Sequence, residues 1–129
     1  MARGSNKRGY AIIAKKGRVL LVRNGSGRWL FPGGRTKPGE SARDATRREV
    51  HEETGLRVEL GSRVSRTHVR VHAGDCDGCV VYEAAKVKGT PKPHREIDKI
   101  AWVDIADVPA RISDAFRTKR VEKILRRYS

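Results

Sequence analysis

Apolar residues are spaced along this chain in ways that name its elements. Tyr10–Ala14 is a short apolar run, Lys16-Gly17 suits a hairpin turn, and Arg18–Arg23 is an apolar returning strand. Asn24-Gly25-Ser26-Gly27 carries turn chemistry, and Arg28–Phe31 predicts a further strand ending at Pro32-Gly33-Gly34. Leu56–Leu60 starts another. Val64–His72 alternates, with Val64, Arg66, His68, Arg70 and His72 on one face and Ser65, Thr67, Val69 and Val71 on the other. Cys79–Val87 reads as a buried strand pairing back across a turn at Gly74–Gly78. A loop over Lys88–Arg95, with Pro91 and Pro93, leads to a strand over Ile97–Val103. Val108-Pro109 marks a break. Beyond it, Ser113 is expected to cap a helix running to about Tyr128, with Ile112, Phe116, Val121, Ile124, Leu125 and Tyr128 as its apolar set. Mixed strands with two helices suit an α/β sheet flanked by helices.

The more informative helix lies mid-chain. Ser41 with Asp44 resembles a capping box, Ala42–Thr54 holds no Gly or Pro, and Gly55 sits where a helix end favours one. The spacing predicts a helix over Ser41–Thr54. At about 100° per residue, Ala42, Ala45, Thr46, Glu49 and Glu53 share one face. Arg43, Asp44, Arg47 and His51 share the opposite face, and Val50 and Glu52 lie on the flanks. Small side chains that allow close packing therefore share a face with two glutamates, the reverse of a solvated helix. Inward carboxylates repel one another, and burial makes this worse. A divalent cation with oxygen ligands is the simplest compensation. Arg48, one turn before Glu52, can pair with a carboxylate and hold it. The alternative is a surface helix whose acids pair with nearby arginines.

The whole stretch Gly34–Leu56 decides between them. It resembles the Nudix box, G-x5-E-x7-R-E-U-x-E-E-x-G-U with U a bulky aliphatic residue, and every defined position matches: Gly34, Glu40, Arg48, Glu49, Val50, Glu52, Glu53, Gly55 and Leu56. Trp29–Gly34 also looks like the strand and turn that precede the box in this family. The resemblance implies an α/β/α sandwich and a hydrolase acting on a nucleoside diphosphate linked to another group, with Mg²⁺ or Mn²⁺. It implies Glu49, Glu52 and Glu53 as metal ligands, joined by the Gly33 carbonyl. Glu53 would also take the proton of the attacking water, and Glu40 and Arg48 would support the loop and helix. A glutamate like Glu96 reaches the metals or acts as base in many relatives.

A chain of 129 residues predicts one domain, here residues 9–129 behind a basic arm over residues 1–8. The net charge of +14 favours polyanions, with nucleotides, RNA ends and inositol phosphates as candidates, or is a solubility surface only. No secretory or membrane-spanning stretch is visible, and two cysteines make no disulfide framework, so a cytoplasmic protein without membrane attachment is expected, as monomer or homodimer.

Other residues carry open readings. Arg23 ends a strand beside the Gly-rich loop, and either contacts a substrate phosphate or sits on the rim. Trp29 either stacks on a base or is core; Tyr82 reads as core. His68, His72, Cys76 and Cys79 are zinc-type ligands around a hairpin, but their spacing fits no common zinc module. Some subfamilies carry a proline or a tyrosine past the box as a substrate marker. Neither stands around His72 to Gly74, which tilts the reading toward a small nucleoside triphosphate pyrophosphohydrolase of the mutation-preventing type. The alternatives are an RNA 5′-end pyrophosphohydrolase, an ADP-ribose or inositol pyrophosphate hydrolase, and a non-catalytic nucleotide- or RNA-binding module.

Overall fold

The computed structural model describes residues 7–25, 27–61, 68–71, 76–113, 116–117 and 119–128, with backbone alone for 68–71, 76–79 and 120. Among the described residues, nine strands form two sheets: β1 (Arg8–Ile12), β2 (Ala14–Lys15), β3 (Arg18–Asn24), β4 (Trp29–Leu30), β5 (Gly33–Arg35), β6 (Arg57–Leu60), β7 (His68–Val71), β8 (Cys76–Lys88) and β9 (Ile97–Asp104). The helices are α1 (Ala42–Thr54), α2 (Val108–Arg111) and α3 (Lys119–Arg126). The first sheet runs β5-β1-β8-β6, with β7 also paired to β8. Its centre is parallel, Arg8 to Ile12 against Cys79 to Glu83, while its other pairs are antiparallel. In the second sheet β3 pairs with β9 on one side and with β2 and β4 on the other, all antiparallel.

The alternation of β1 builds two cores. Tyr10 and Ile12 face one side, with Val19, Leu21, Phe31 and Val81, and are closed over by Phe116, Val121, Ile124 and Leu125 from the C-terminal segment. Ala11 and Ile13 face the other, with Leu20, Leu56, Val58 and Val50 of α1. Sheets between two helical layers make an α/β/α sandwich. A strand buried on both faces has to be apolar at every position, which explains why Tyr10–Ala14 reads as a run and not an alternation. The Phe116 ring meets Tyr10 and Phe31 edge-on, at 4.8 Å and 5.1 Å between centroids.

Several boundaries differ from expectation. The Thr36 amide donates to the Lys7 carbonyl and β1 starts at Arg8, so strand pairing begins inside the stretch expected to be an arm. The expected strand Arg28–Phe31 is shorter, Trp29–Leu30, and β8 starts earlier, at Cys76. Ser113 does not cap the last helix. Its amide donates to the Trp29 carbonyl, Ile112 bridges Trp29, and α3 begins only at Lys119. Among the described residues no helix is long and apolar enough to cross a membrane.

Candidate active site

Helix α1 forms where its caps and faces predict. The Ser41 hydroxyl accepts from the Asp44 amide, and Gly55 ends the helix in the left-handed region with its amide on the His51 carbonyl. Ala45, Thr46, Val50, Glu53 and Thr54 are buried. The helix lies close on β1 because Gly9 has no side chain. A Cβ there would stand 2.0 Å from Thr46 Oγ1 and 2.7 Å from the Ala42 carbonyl oxygen.

The same closeness brings the glutamates to the β5 turn. Glu53 Oε1 accepts from the Gly33 amide at 3.1 Å. Glu49 lies against Gly34, where a Cβ would stand 2.5 Å from Glu49 Oε2. Glycine at position 34 thus makes room for a carboxylate. Glu49 and Glu52, one turn apart, share a hydrogen bond. Burial, the Glu52 contact and the Glu96 charge raise the Glu49 carboxyl above its ordinary range, against the lowering effect of Arg48. Burial also pushes Glu53 up to about 8, opposed by the Gly33 amide and reinforced by the charges of Glu49, Glu96 and Glu52.

Arg48 organises one side of this cluster. Its Nε and Nη2 grip Glu40 at 2.8 Å and 2.9 Å, Nη2 also reaches the Arg35 carbonyl, and Nη1 donates to Glu52 at 3.1 Å. Glu40 accepts in addition from the Lys37 amide. The bidentate Arg48 contact holds the Glu40 carboxyl down at about 2. One guanidinium therefore ties the loop before α1 to the helix and orients a carboxylate at the cluster.

Glu96 joins from the opposite end of the sequence. Pro91 and Pro93 have no amide hydrogen, and the residues that alternate with them donate to the end of α1: Lys92 to the Thr54 carbonyl and His94 to the Glu53 carbonyl. Those carbonyls would otherwise be unpaired at a helix end. This docking carries Glu96 close enough to act electrostatically on Glu49 and Glu53. It also places Arg95, at φ 56°, with Nη2 4.0 Å from Glu52.

The structure thus brings together Gly33, Gly34, Glu40, Arg48, Glu49, Glu52, Glu53, Gly55 and Glu96. Arg23 and Trp29 form a separate pair on β3 and β4, with the guanidinium 5.9 Å from the indole centroid. Among the described residues neither bonds to a carboxylate of the cluster. Arg23 closes its fork on Asp98, at 3.1 Å and 2.9 Å, so a phosphate would have to compete with that pair. Trp29 is half-buried against the core. Tyr82 is buried, with the Arg43 guanidinium over its ring. His72 lies outside the described residues, as do the side chains of His68, Cys76 and Cys79, so the zinc reading does not extend to the structure. Sequence reasoning missed Asp98, Arg95 and the docking amides of Lys92 and His94. The alternating prolines were the available signal for the last two.

The cluster offers only oxygen donors, and its mutually raised carboxyls need positive charge. That donor set fits a hard divalent cation. Among the described residues no three carboxylates are gathered tightly enough to enclose an ion unaided. Arg48 and the Gly33 amide each engage one of them, Glu52 and Glu53. Such an open set suits Mg²⁺, which keeps several waters and takes phosphate oxygens as further ligands.

Comparison with known proteins agrees with this geometry. Residues 6–125 match the NUDIX domain family, and the chain belongs to it. It is 34% identical over 101 residues to an 8-oxo-(d)GTP phosphatase of Mycolicibacterium smegmatis, covering 78% of this chain but 30% of that one. It is 32% identical over 97 residues to a CTP pyrophosphohydrolase of Escherichia coli, covering 71% of this chain and 70% of that one. Among solved structures it resembles the MutT protein from Methanosarcina mazei Go1, with a TM-score of 0.80, 25% identity, and coverage of 98% of this chain and 96% of that one.

Proposed function

We propose that this chain hydrolyses a pyrophosphate linkage in a nucleoside triphosphate, releasing nucleoside monophosphate and pyrophosphate. The observation that carries the reading is the convergence of Glu49, Glu52, Glu53 and Glu96 beside the Gly33-Gly34 turn, with Arg48 and Glu40 bracing one side. The names of the mycobacterial and Escherichia coli relatives support a nucleotide substrate, and an oxidised base is one candidate.

In this reading Glu49, Glu52, Glu53 and the Gly33 carbonyl would hold Mg²⁺ or Mn²⁺. A bound divalent cation supplies charge neutralisation to the phosphates, which phosphoryl transfer needs more than covalent chemistry. The protein groups then have separate tasks. Glu53, whose Oε1 accepts from the Gly33 amide, takes the proton of the attacking water with its other oxygen, in the ionised form that a bound cation would favour. Glu96, carried on a docked loop, acts electrostatically on that carboxyl. Arg48 fixes the orientation of Glu52. Arg23 and Trp29 serve the substrate beyond the reacting phosphates, once Arg23 exchanges Asp98 for a phosphate.

The test is a panel of ordinary and oxidised nucleoside triphosphates, ADP-ribose, an inositol pyrophosphate and a 5′-triphosphate RNA, each with Mg²⁺. Wild type should turn over a triphosphate best. Glu53→Gln should lose about 10²–10⁴-fold in rate while still binding the nucleotide. Preference for another panel member would replace the substrate. Binding without turnover on every member would replace catalysis with recognition.

A further inference from the structure

A cavity of about 410 Å³ lies between the outer face of α1 and the edge formed by β6 and β8, on the far side of Arg48 from the carboxylate cluster. Arg47, Arg48, His51, Arg57, Lys86 and Lys88 line it, with Asp44 and Glu59 between them. The groove gathers several cations that hold no acid. Arg18, Arg23 and Arg48 each hold an acid. Among the described residues, Arg47, Arg57, Lys86 and Lys88 form no ion pair. The β6–β8 register also sets Arg57 directly opposite Lys88. Like charges facing across an antiparallel pair are destabilising, and the neighbouring Glu59–Lys86 pair on the same face offsets that repulsion only in part.

We propose that this groove binds the phosphate backbone of a single-stranded nucleic acid. An anion would relieve the Arg57–Lys88 repulsion and satisfy the unpaired cations. The arrangement favours a strand over inorganic polyphosphate. Asp44 and Glu59 interrupt the cations, which suits charges spaced by sugars and penalises a continuous run of phosphates. Among the described residues lining the cavity His51 offers a ring but there is no Phe, Tyr or Trp, so recognition goes mainly through phosphates and is largely independent of sequence. Arg48, whose fork is closed on Glu40 and Glu52, borders both the groove and the proposed hydrolytic site, while the groove's other cations do not depend on that reading.

The experiment is fluorescence anisotropy with a 5′-hydroxyl RNA of about 15 nucleotides, within the usual reach of such surfaces. EDTA and the missing 5′ phosphates silence the carboxylate cluster. Arg57→Gln/Lys86→Gln/Lys88→Gln should weaken binding about tenfold or more and reduce the slope of log K against log salt by about 2. A control that removes three cations elsewhere, Lys15→Gln/Lys119→Gln/Lys123→Gln, should change affinity far less. Lys88→Glu should weaken binding while raising the melting temperature, because it turns a repulsive pair attractive; a merely structural lysine would not give both effects. No RNA binding by wild type, equal losses in the groove and control variants, or better displacement by polyphosphate than by RNA per phosphate would each overturn the proposal. Hydrolysis of a nucleoside triphosphate by the groove variants should match wild type. If no protein in the series hydrolyses it, the proposed hydrolase falls and the groove stands or falls on anisotropy alone.

Discussion

Arg48 and Glu40 show how much one guanidinium can organise. Two of its donors close on Glu40, a third reaches Glu52, and the Glu40 carboxyl is held at about 2. A carboxyl whose pKa is depressed by folding stabilises the protein above its unfolded pKa, and that contribution fades as pH falls toward the folded value. Wild type should therefore melt above Glu40→Gln near neutral pH, and the two curves should converge toward about pH 2. A gap that persists unchanged into acid would mean that Glu40 acts by packing alone. Arg48→Lys should keep the charge yet lose the forked contact, and activity should fall with it, because Glu52 is no longer oriented. The pair was legible in the sequence by the resemblance, and the Arg48–Glu52 contact also by helical spacing. The Arg23–Asp98 pair was not. Its partners are 75 positions apart, and it depends on a register shift between Arg23 and Asn24 in the β3–β9 ladder.

At the scale of elements, α1 is the part that sequence describes best. Caps, inward small residues and inward glutamates are all local properties, and all appear in the structure. What local reasoning could not supply is the distance at which α1 sits on β1, which Gly9 determines. Gly9→Ala should push the helix away, costing about 1–3 kcal/mol in urea unfolding, the usual range for overpacking. Thr46→Ala should recover only part of this, since the Ala42 carbonyl still stands 2.7 Å from the added carbon. Gly34→Ala is expected to behave differently. It displaces the Glu49 carboxylate, not a helix, so activity should fall further than stability. A Gly34→Ala enzyme with full activity would remove Glu49 from the site. The C-terminal helix was misread at its start for a matching reason. Ser113 has the chemistry of a cap, but tertiary pairing of Ile112 and Ser113 with Trp29 holds the chain beside β4, and α3 starts only at Lys119, beyond reach of its hydroxyl. The loop before β9 was read as a connection only, because its docking on α1 depends on carbonyls that become available only once the helix has ended.

For the molecule as a whole, sequence and structure agree on the sandwich and on the cluster within it, while the charge of +14 is spread over both. Twenty-nine cationic residues against fifteen acids cannot all be paired, and the acids of the described ion pairs lie on α1, on the loop before it, on β8 and on β9. The remainder repel across the surface. Self-repulsion destabilises a compact state, and salt screens it over about 8–10 Å at moderate ionic strength. The melting temperature should therefore rise as sodium chloride increases from about 20 mM to about 200 mM, the range over which screening becomes effective. Ion-pair weakening acts in the opposite direction but involves fewer charges. The rise should be smaller in Arg57→Gln/Lys88→Gln, which removes the facing pair of like charges on β6 and β8. A melting temperature that falls with salt would mean that the bridges to Asp98, Asp104 and Glu40 outweigh the repulsion. The positive surface would then be stabilised by its own acids and would have no need of a polyanion.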